Sequence, residues 1–253
     1  MSATETTATR EATCDRHGAF MSRDLYAGRV WSQCPACNDE HKATEVAEAQ
    51  LRELAATQEA YGRRVAESGI PERFCDRTLA CYAAKSAGEK RALAFALAYA
   101  TDFDAVLKTG RSAIFVGQVG TGKTHLACGI ALQVLTKRTA LYTTVMQAVR
   151  RIRGTWAKGT AETESEALAA FVHPALLIID EVGIQYGTEA ERVHLFEILD
   201  GRYSNRLPTL LLSNLTIDQV SEAIGARALD RLKEDGGKII AFDWPSHRGK
   251  TDQ

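Results

Sequence analysis

The chain carries almost no net charge: 31 Lys and Arg against 32 Asp and Glu leave −1 over 253 residues. That excludes a global electrostatic pull toward nucleic acid, so any such contact has to come from a local patch. No apolar run reaches membrane-spanning length. The opening stretch, M-S-A-T-E-T-T-A-T-R-E, lacks the apolar core of a secretory signal. Both absences point to the cytoplasm and to no membrane partner. There disulfides are rare and clustered cysteines suggest a metal. What is present, 45% hydrophobic and 25% charged residues, suits an ordinary globular protein with one substantial core and a small appendage.

The stretch from Ser112 to Thr124 organises the rest. An apolar run, Ala113 to Val116, stops at Gly117, and Gly117-Gln118-Val119-Gly120-Thr121-Gly122-Lys123-Thr124 matches G-x-x-x-x-G-K-S/T. Beyond it, Leu126, Ile130, Leu132, Val134 and Leu135 recur at helical spacing. Glycines let successive backbone N–H groups converge on an anion, and the helix start adds partial positive charge. The pattern predicts ATP cradled by Gly117, Gly120, Thr121 and Gly122. Lys123 is expected on the β/γ-phosphates and Thr124 on Mg²⁺.

A second motif, Ala175-Leu176-Leu177-Ile178-Ile179-Asp180-Glu181, reads as a strand buried on both faces that ends in two carboxylates. Asp180 is expected to hold Mg²⁺, and Glu181 to activate the attacking water. Thr209 to Asn214 makes another buried strand, with Asn214 placed to meet the γ-phosphate or that water. Thr139–Val145 and Lys238–Asp243 complete five strands. A capping box at Ser86-Ala87-Gly88-Glu89 opens a helix before the phosphate loop. Strands alternating with helices predict an α/β fold, a parallel sheet covered on both faces.

Ahead of this body, residues 1–13 are polar and expected to be disordered. Cys14-Asp15-Arg16-His17 and Cys34-Pro35-Ala36-Cys37 then form two C-x-x-C/H pairs sixteen residues apart, the spacing of a tetrahedral Zn²⁺ site. The 14–42 segment is too short to bury a core, so metal is expected to supply most of its folding energy. Residues 43–68 read as a solvated linker helix with a thin stripe of Leu51, Leu54 and Ala55. The ATPase body takes 69–253. Cys75, Cys81 and Cys128 stand singly among apolar residues and are expected to be buried thiols.

Between Lys137 and Lys158 lie six basic residues and no acidic one, with Trp156 among them. Arg150, Arg151, Arg153 and Lys158 are candidates for phosphate contacts with single-stranded DNA; the other reading is a solvated helix face. Arg227 and Arg231 share one helix face. An arginine there would suit a neighbour's γ-phosphate, where charge builds in the transition state.

Taken together, the C-x-x-H…C-P-x-C head, G-I-P-E-R-F at Gly69–Phe74, G-Q-V-G-T-G-K-T, L-L-I-I-D-E-V-G, L-L-L-S-N-L-T, A-R-A-L-D-R-L and F-D-W-P-S-H-R resemble the DnaC-type helicase loaders. These are AAA+ ATPases, often carried by phages, and the head resembles the zinc-binding regions of phage and DnaI-like loaders. The resemblance spans about residues 69–250. It implies sensor-1 at Asn214, a trans-acting arginine finger at Arg231 with Arg227 beside it, and a sensor-2 arginine at Arg248. It further implies a hexameric DnaB-type replicative helicase as partner, single-stranded DNA, and self-association. About ten residues follow the fifth strand, so no full C-terminal helical lid is expected. Two other functions compete: an IstB-like transposition helper ATPase, and a zinc-finger DNA-binding adaptor with an inert ATPase fold.

Overall fold

The computed structural model describes residues 8–183 and 189–247. The chain divides into two compact units, with the break between Ala60 and Tyr61. None of the described helices is long and apolar enough to cross a membrane.

In the first unit an antiparallel hairpin, β1 (Thr9–Cys14) and β2 (Gly18–Arg23), closes where Cys14 pairs with Gly18. Residues 9–13 are thus a strand rather than the loose tail that their polarity suggested. Pairing with β2 gives part of their backbone groups partners although few of their side chains are apolar. Helix α1 (Pro35–Glu67) starts eight residues before the expected linker helix, because Pro35 is well suited to a first helical position. Only Ser22 and Cys34 are buried among the unit's described residues.

The second unit is built on α2 (Ala87–Thr101), α3 (Phe103–Thr109), β3 (Ala113–Gly117), α4 (Lys123–Val134), β4 (Ala140–Thr144), α5 (Val145–Gly154), α6 (Glu164–Val172), β5 (Leu176–Val182), α7 (Glu189–Ser204), β6 (Thr209–Ser213), α8 (Ile217–Ile224), α9 (Ala226–Lys233) and β7 (Lys238–Phe242). Ser86 and Glu89 form the reciprocal cap expected at the start of α2. The five strands are parallel in the order β4-β5-β6-β3-β7. Alternation sends Phe115, Ile178 and Leu212 into the layer shared with α2 and α4. It sends Ile114, Ile179 and Leu211 into the opposite layer, with residues of α5 to α9.

One charged side chain ties the second layer together. Arg202 is fully buried and donates to the carbonyls of Phe171, Val172, Pro174 and Pro208 and to Thr209 Oγ1, at 2.6–3.1 Å. It closes the C-terminal end of α6, where carbonyls lack helical partners. Burial lowers its pKa to about 9, and hydrogen bonds to five oxygens offset part of that cost.

Strand order positions the site. β3 and β5 are not neighbours; β6 lies between them, so the loop leaving β6 emerges between the phosphate loop and the acidic strand end. At about 4.8 Å per strand the two motif-bearing ends sit roughly 10 Å apart, the span of a phosphate chain and its cation.

Candidate nucleotide and metal sites

The phosphate loop joins β3 to α4 with little room to spare. Gly122 has φ +94°, and a Cβ there would meet the Tyr82 ring at 2.7 Å. Gly117 has φ +143°, and a Cβ there would collide with the Phe242 carbonyl of β7. Neither place admits a side chain. The loop is braced from behind: Tyr82 OH and Trp244 Nε1 both donate to the Thr121 carbonyl, at 3.3 and 2.9 Å. The His247 N–H donates to the Gly120 carbonyl at 2.8 Å, while its Nε2 lies 3.0 Å from buried Glu89. Lys123 Nζ donates to the carbonyls of Gly117 and Gln118 at 2.7 and 2.8 Å.

Across the sheet top, Thr124 Oγ1 donates to Asp180 Oδ2 at 2.9 Å. Tyr142 OH donates to the same oxygen at 2.8 Å, and the Glu181 N–H to Asp180 Oδ1 at 2.7 Å. Burial, and then the Asp180 charge, pushes the Tyr142 hydroxyl well above the usual tyrosine range, so it stays a donor. The β5–β6 register shifts between Ile179 and Val182, and Glu181 has φ +61°. This irregularity breaks the pleat: Asp180 is buried while the next residue, Glu181, turns outward to solvent. Holding a non-glycine residue there costs about 1–3 kcal/mol. Ser213 Oγ donates to the Val182 carbonyl and accepts from the Leu215 N–H, which fixes the β6 end that carries Asn214.

A cleft of about 390 Å³ is lined by Gly120, Gly122, Lys123, Thr124, Asp180, Glu181 and Asn214 together with Arg73, Phe74, Val119 and His125. Residues drawn from three separate motifs therefore meet in one place. Arg73 and Phe74 are marked in the sequence only by the G-I-P-E-R-F likeness, and Tyr142 only as part of the strand Thr139–Val145. A tyrosine inside a strand carries no local sign that its hydroxyl meets a carboxylate 38 residues away.

Other expected residues lie elsewhere. Arg231 is paired with Asp200 of its own chain, and its guanidinium sits 4.8 Å from the Tyr203 ring centre. Arg227, over Phe196, is exposed. Arg248 falls outside the described residues. In the basic stretch, Arg151 is bound by Glu162 at 2.6 Å, and Trp156 Nε1 donates to Glu164 at 2.7 Å. The acid-free segment thus acquires carboxylates from the chain that follows it. Arg150, Arg153 and Lys158 are exposed. Of the three single thiols only Cys128 is buried; Cys75 and Cys81 are exposed on the turns ahead of α2. Apolar neighbours in sequence did not carry those two inward: Cys75 caps one short 3-10 turn and Cys81 ends another.

In the first unit the ligating atoms of Cys14, His17, Cys34 and Cys37 all lie within 4.8 Å of one another. Cys14 Sγ is 3.4 Å from Cys37 Sγ, and His17 Nδ1 is 3.8, 3.8 and 3.3 Å from the sulfurs of Cys14, Cys34 and Cys37. Bond lengths around tetrahedral zinc require edges of roughly 3.5–3.8 Å, so the donor set fits that ion. His17 Nε2 meets Glu40 Oε1 at 3.0 Å, which leaves Nδ1 free to ligate, and Glu40 is itself held by Arg16 at 3.0 Å. Backbone N–H groups of Arg16 and His17 lower the Cys14 thiol to about 6, whereas Cys14 beside it raises Cys37 to about 11. A divalent cation removes that conflict by letting both be thiolates.

Comparison with known proteins covers most of the second unit. A family model described as IstB-like ATP binding protein matches residues 92–250. The replicative helicase loader DnaC of Escherichia coli is 30% identical over 185 residues, 73% of this chain and 74% of that one. DnaC of Buchnera aphidicola subsp. Baizongia pistaciae is 32% identical over 189 residues, 74% and 76% of the two chains. The crystal structure of the DnaC helicase loader superposes with a TM-score of 0.60 at 19% identity, over 68% of this chain and 99% of that one, a likeness of fold.

Proposed function

The chain belongs to the IstB/DnaC family of AAA+ ATP-binding proteins, and on that footing we propose that it loads a hexameric DnaB-type replicative helicase onto single-stranded DNA, with ATP hydrolysis coupled to assembly or release. The cleft carries the catalytic part of this reading. There Thr124 and Asp180 touch at 2.9 Å, with Lys123, Glu181 and Asn214 on the same walls. Similarity to a loader across three quarters of both chains supports the rest.

Each residue then has a task. The N–H groups of the Gly117–Thr124 loop bind the phosphates, and Lys123 exchanges its two loop carbonyls for β/γ-oxygens. Thr124 and Asp180 would hold Mg²⁺, which neutralises charge on the phosphate chain. Glu181, turned outward by the strand irregularity, orients the attacking water and accepts its proton. Asn214, emerging between the two motifs, donates to the γ-phosphate or to that water. Arg227 is exposed and reaches toward a neighbouring copy. Arg231 joins it only by leaving Asp200, so the two are expected to differ in variants. Cys14, His17, Cys34 and Cys37 would hold Zn²⁺ with no open position, which makes that site structural. Its unit, with α1, is the proposed helicase-binding part; Arg150, Arg153 and Lys158 are the proposed DNA contacts, with Arg151 committed to Glu162.

The test is ATP turnover by the purified chain with Mg²⁺ and single-stranded DNA, alongside transfer of a hexameric replicative helicase onto circular single strands. Turnover together with transfer is expected. Turnover with no helicase binding, but with filaments on duplex DNA, would favour the IstB-like transposition helper, a reading that the family model also supports. No turnover at all would favour the inert adaptor.

A further inference from the structure

Asp180 receives three hydrogen bonds, and only two come from the two motifs themselves. Thr124 reaches it across the site and the Glu181 N–H reaches it from the next residue. The third donor, Tyr142, belongs to the neighbouring strand β4. Register explains its reach. Tyr142 pairs with Ile178 and Thr144 with Asp180, so Tyr142 and Asp180 lie on one face of the sheet, two positions apart. That offset of about 7 Å matches a tyrosine side chain leaning along the strand. The ring lies in the apolar layer with α4. Its backbone N–H donates to the Ser68 carbonyl at 2.7 Å, which stitches this edge strand to the segment leading into the body.

We propose that Tyr142 is a positioning residue for the divalent cation: its hydroxyl locks the Asp180 carboxylate with Oδ2 turned toward Thr124. Two donors on one oxygen define a single rotamer of Asp180, so the cation meets ligands that are already assembled. Without the hydroxyl, Thr124 alone holds that oxygen. The phosphate cradle from Gly117 to Lys123 makes no use of Tyr142. The loss should therefore fall on the cation and spare the nucleotide. A merely structural tyrosine would weaken both together.

The inference rests on the ATP-site reading above, and its test separates the two. Full-length wild type and Tyr142→Phe, which keeps the ring in the α4 layer, are compared for binding of a fluorescent ATP analogue in EDTA and through a Mg²⁺ titration. Circular dichroism melts check that both are folded. Affinity in EDTA should be unchanged, while the Mg²⁺ midpoint rises roughly 10–100-fold, as for other outer-shell partners of metal ligands. Equal midpoints in the two proteins would overturn the role of Tyr142 and leave the site standing. No Mg²⁺ effect in wild type would overturn the site itself. In an Asp180→Asn background, adding Tyr142→Phe should shift the midpoint no further; additive shifts would mean that the tyrosine acts elsewhere.

Discussion

The two units hold their functional side chains by opposite means. In the first, Cys14, His17, Cys34 and Cys37 converge although almost nothing around them is buried. Hydrogen bonds of a six-residue hairpin strand and the start of α1 bring the four side chains near, and on the proposed zinc reading an ion would supply the remaining energy. In the second, Asp180 and Asn214 stand at the ends of β5 and β6 and Lys123 opens the helix that follows β3, all three strands being buried in two apolar layers. Buried Arg202 clamps this unit through five neutral oxygens and needs no ion. A metal can assemble a site where no core exists, but it makes the fold conditional on that metal. A sheet makes its site unconditional, at the cost of much more chain.

Removing the metal should break the contrast most visibly. Structural zinc contributes about 10–16 kcal/mol in small domains, so a strong chelator, or Cys34→Ser, should abolish amide-exchange protection across residues 8–42 and release the bound zinc. Protection in β3, β5 and β6 should persist; its loss to the same extent would show that the units do not differ in this way. Within the body, Glu181→Gln should lower turnover roughly 10²–10⁴-fold with nucleotide affinity kept, read by steady-state hydrolysis beside equilibrium binding. Lys123→Ala removes charge-assisted bonds worth about 1.5–3 kcal/mol each, and ATP affinity should fall roughly 100-fold by the same binding measurement. Undiminished affinity would unseat the phosphate loop. The smallest effect sharpens the comparison of clamps. Arg202→Leu leaves buried carbonyls without donors, and the urea midpoint of the body should drop by an equivalent of at least about 1–3 kcal/mol, the penalty for one such group, with zinc content unchanged.

Local chemistry was readable wherever neighbours in sequence are also neighbours in space. The phosphate loop, the two C-x-x-C/H pairs, the capping box at Ser86 and the apolar strands β3, β5 and β6 are all of this kind. Each needs only a dozen residues or fewer to define its geometry. Partners that come from other elements leave no such local mark. Nothing near Arg151 in the chain signals its pairing with Glu162, and nothing near Arg231 signals its pairing with Asp200 of α7. Cys75 and Cys81 looked apolar by their neighbours yet stand in solvent.

Covalent order by itself determined which groups this protein owns and which stretches form strands, loops and ligand pairs, since backbone propensity and short-range hydrogen bonding act over a few residues. Only the folded sheet decided which of those groups meet. Placing β6 between β3 and β5 brought Asn214 to the cleft, the register of β4 on β5 brought Tyr142 to Asp180, and a two-residue irregularity turned Glu181 outward. Strand order and register arise from long-range packing of side chains across the layers, and that depends on the whole chain at once.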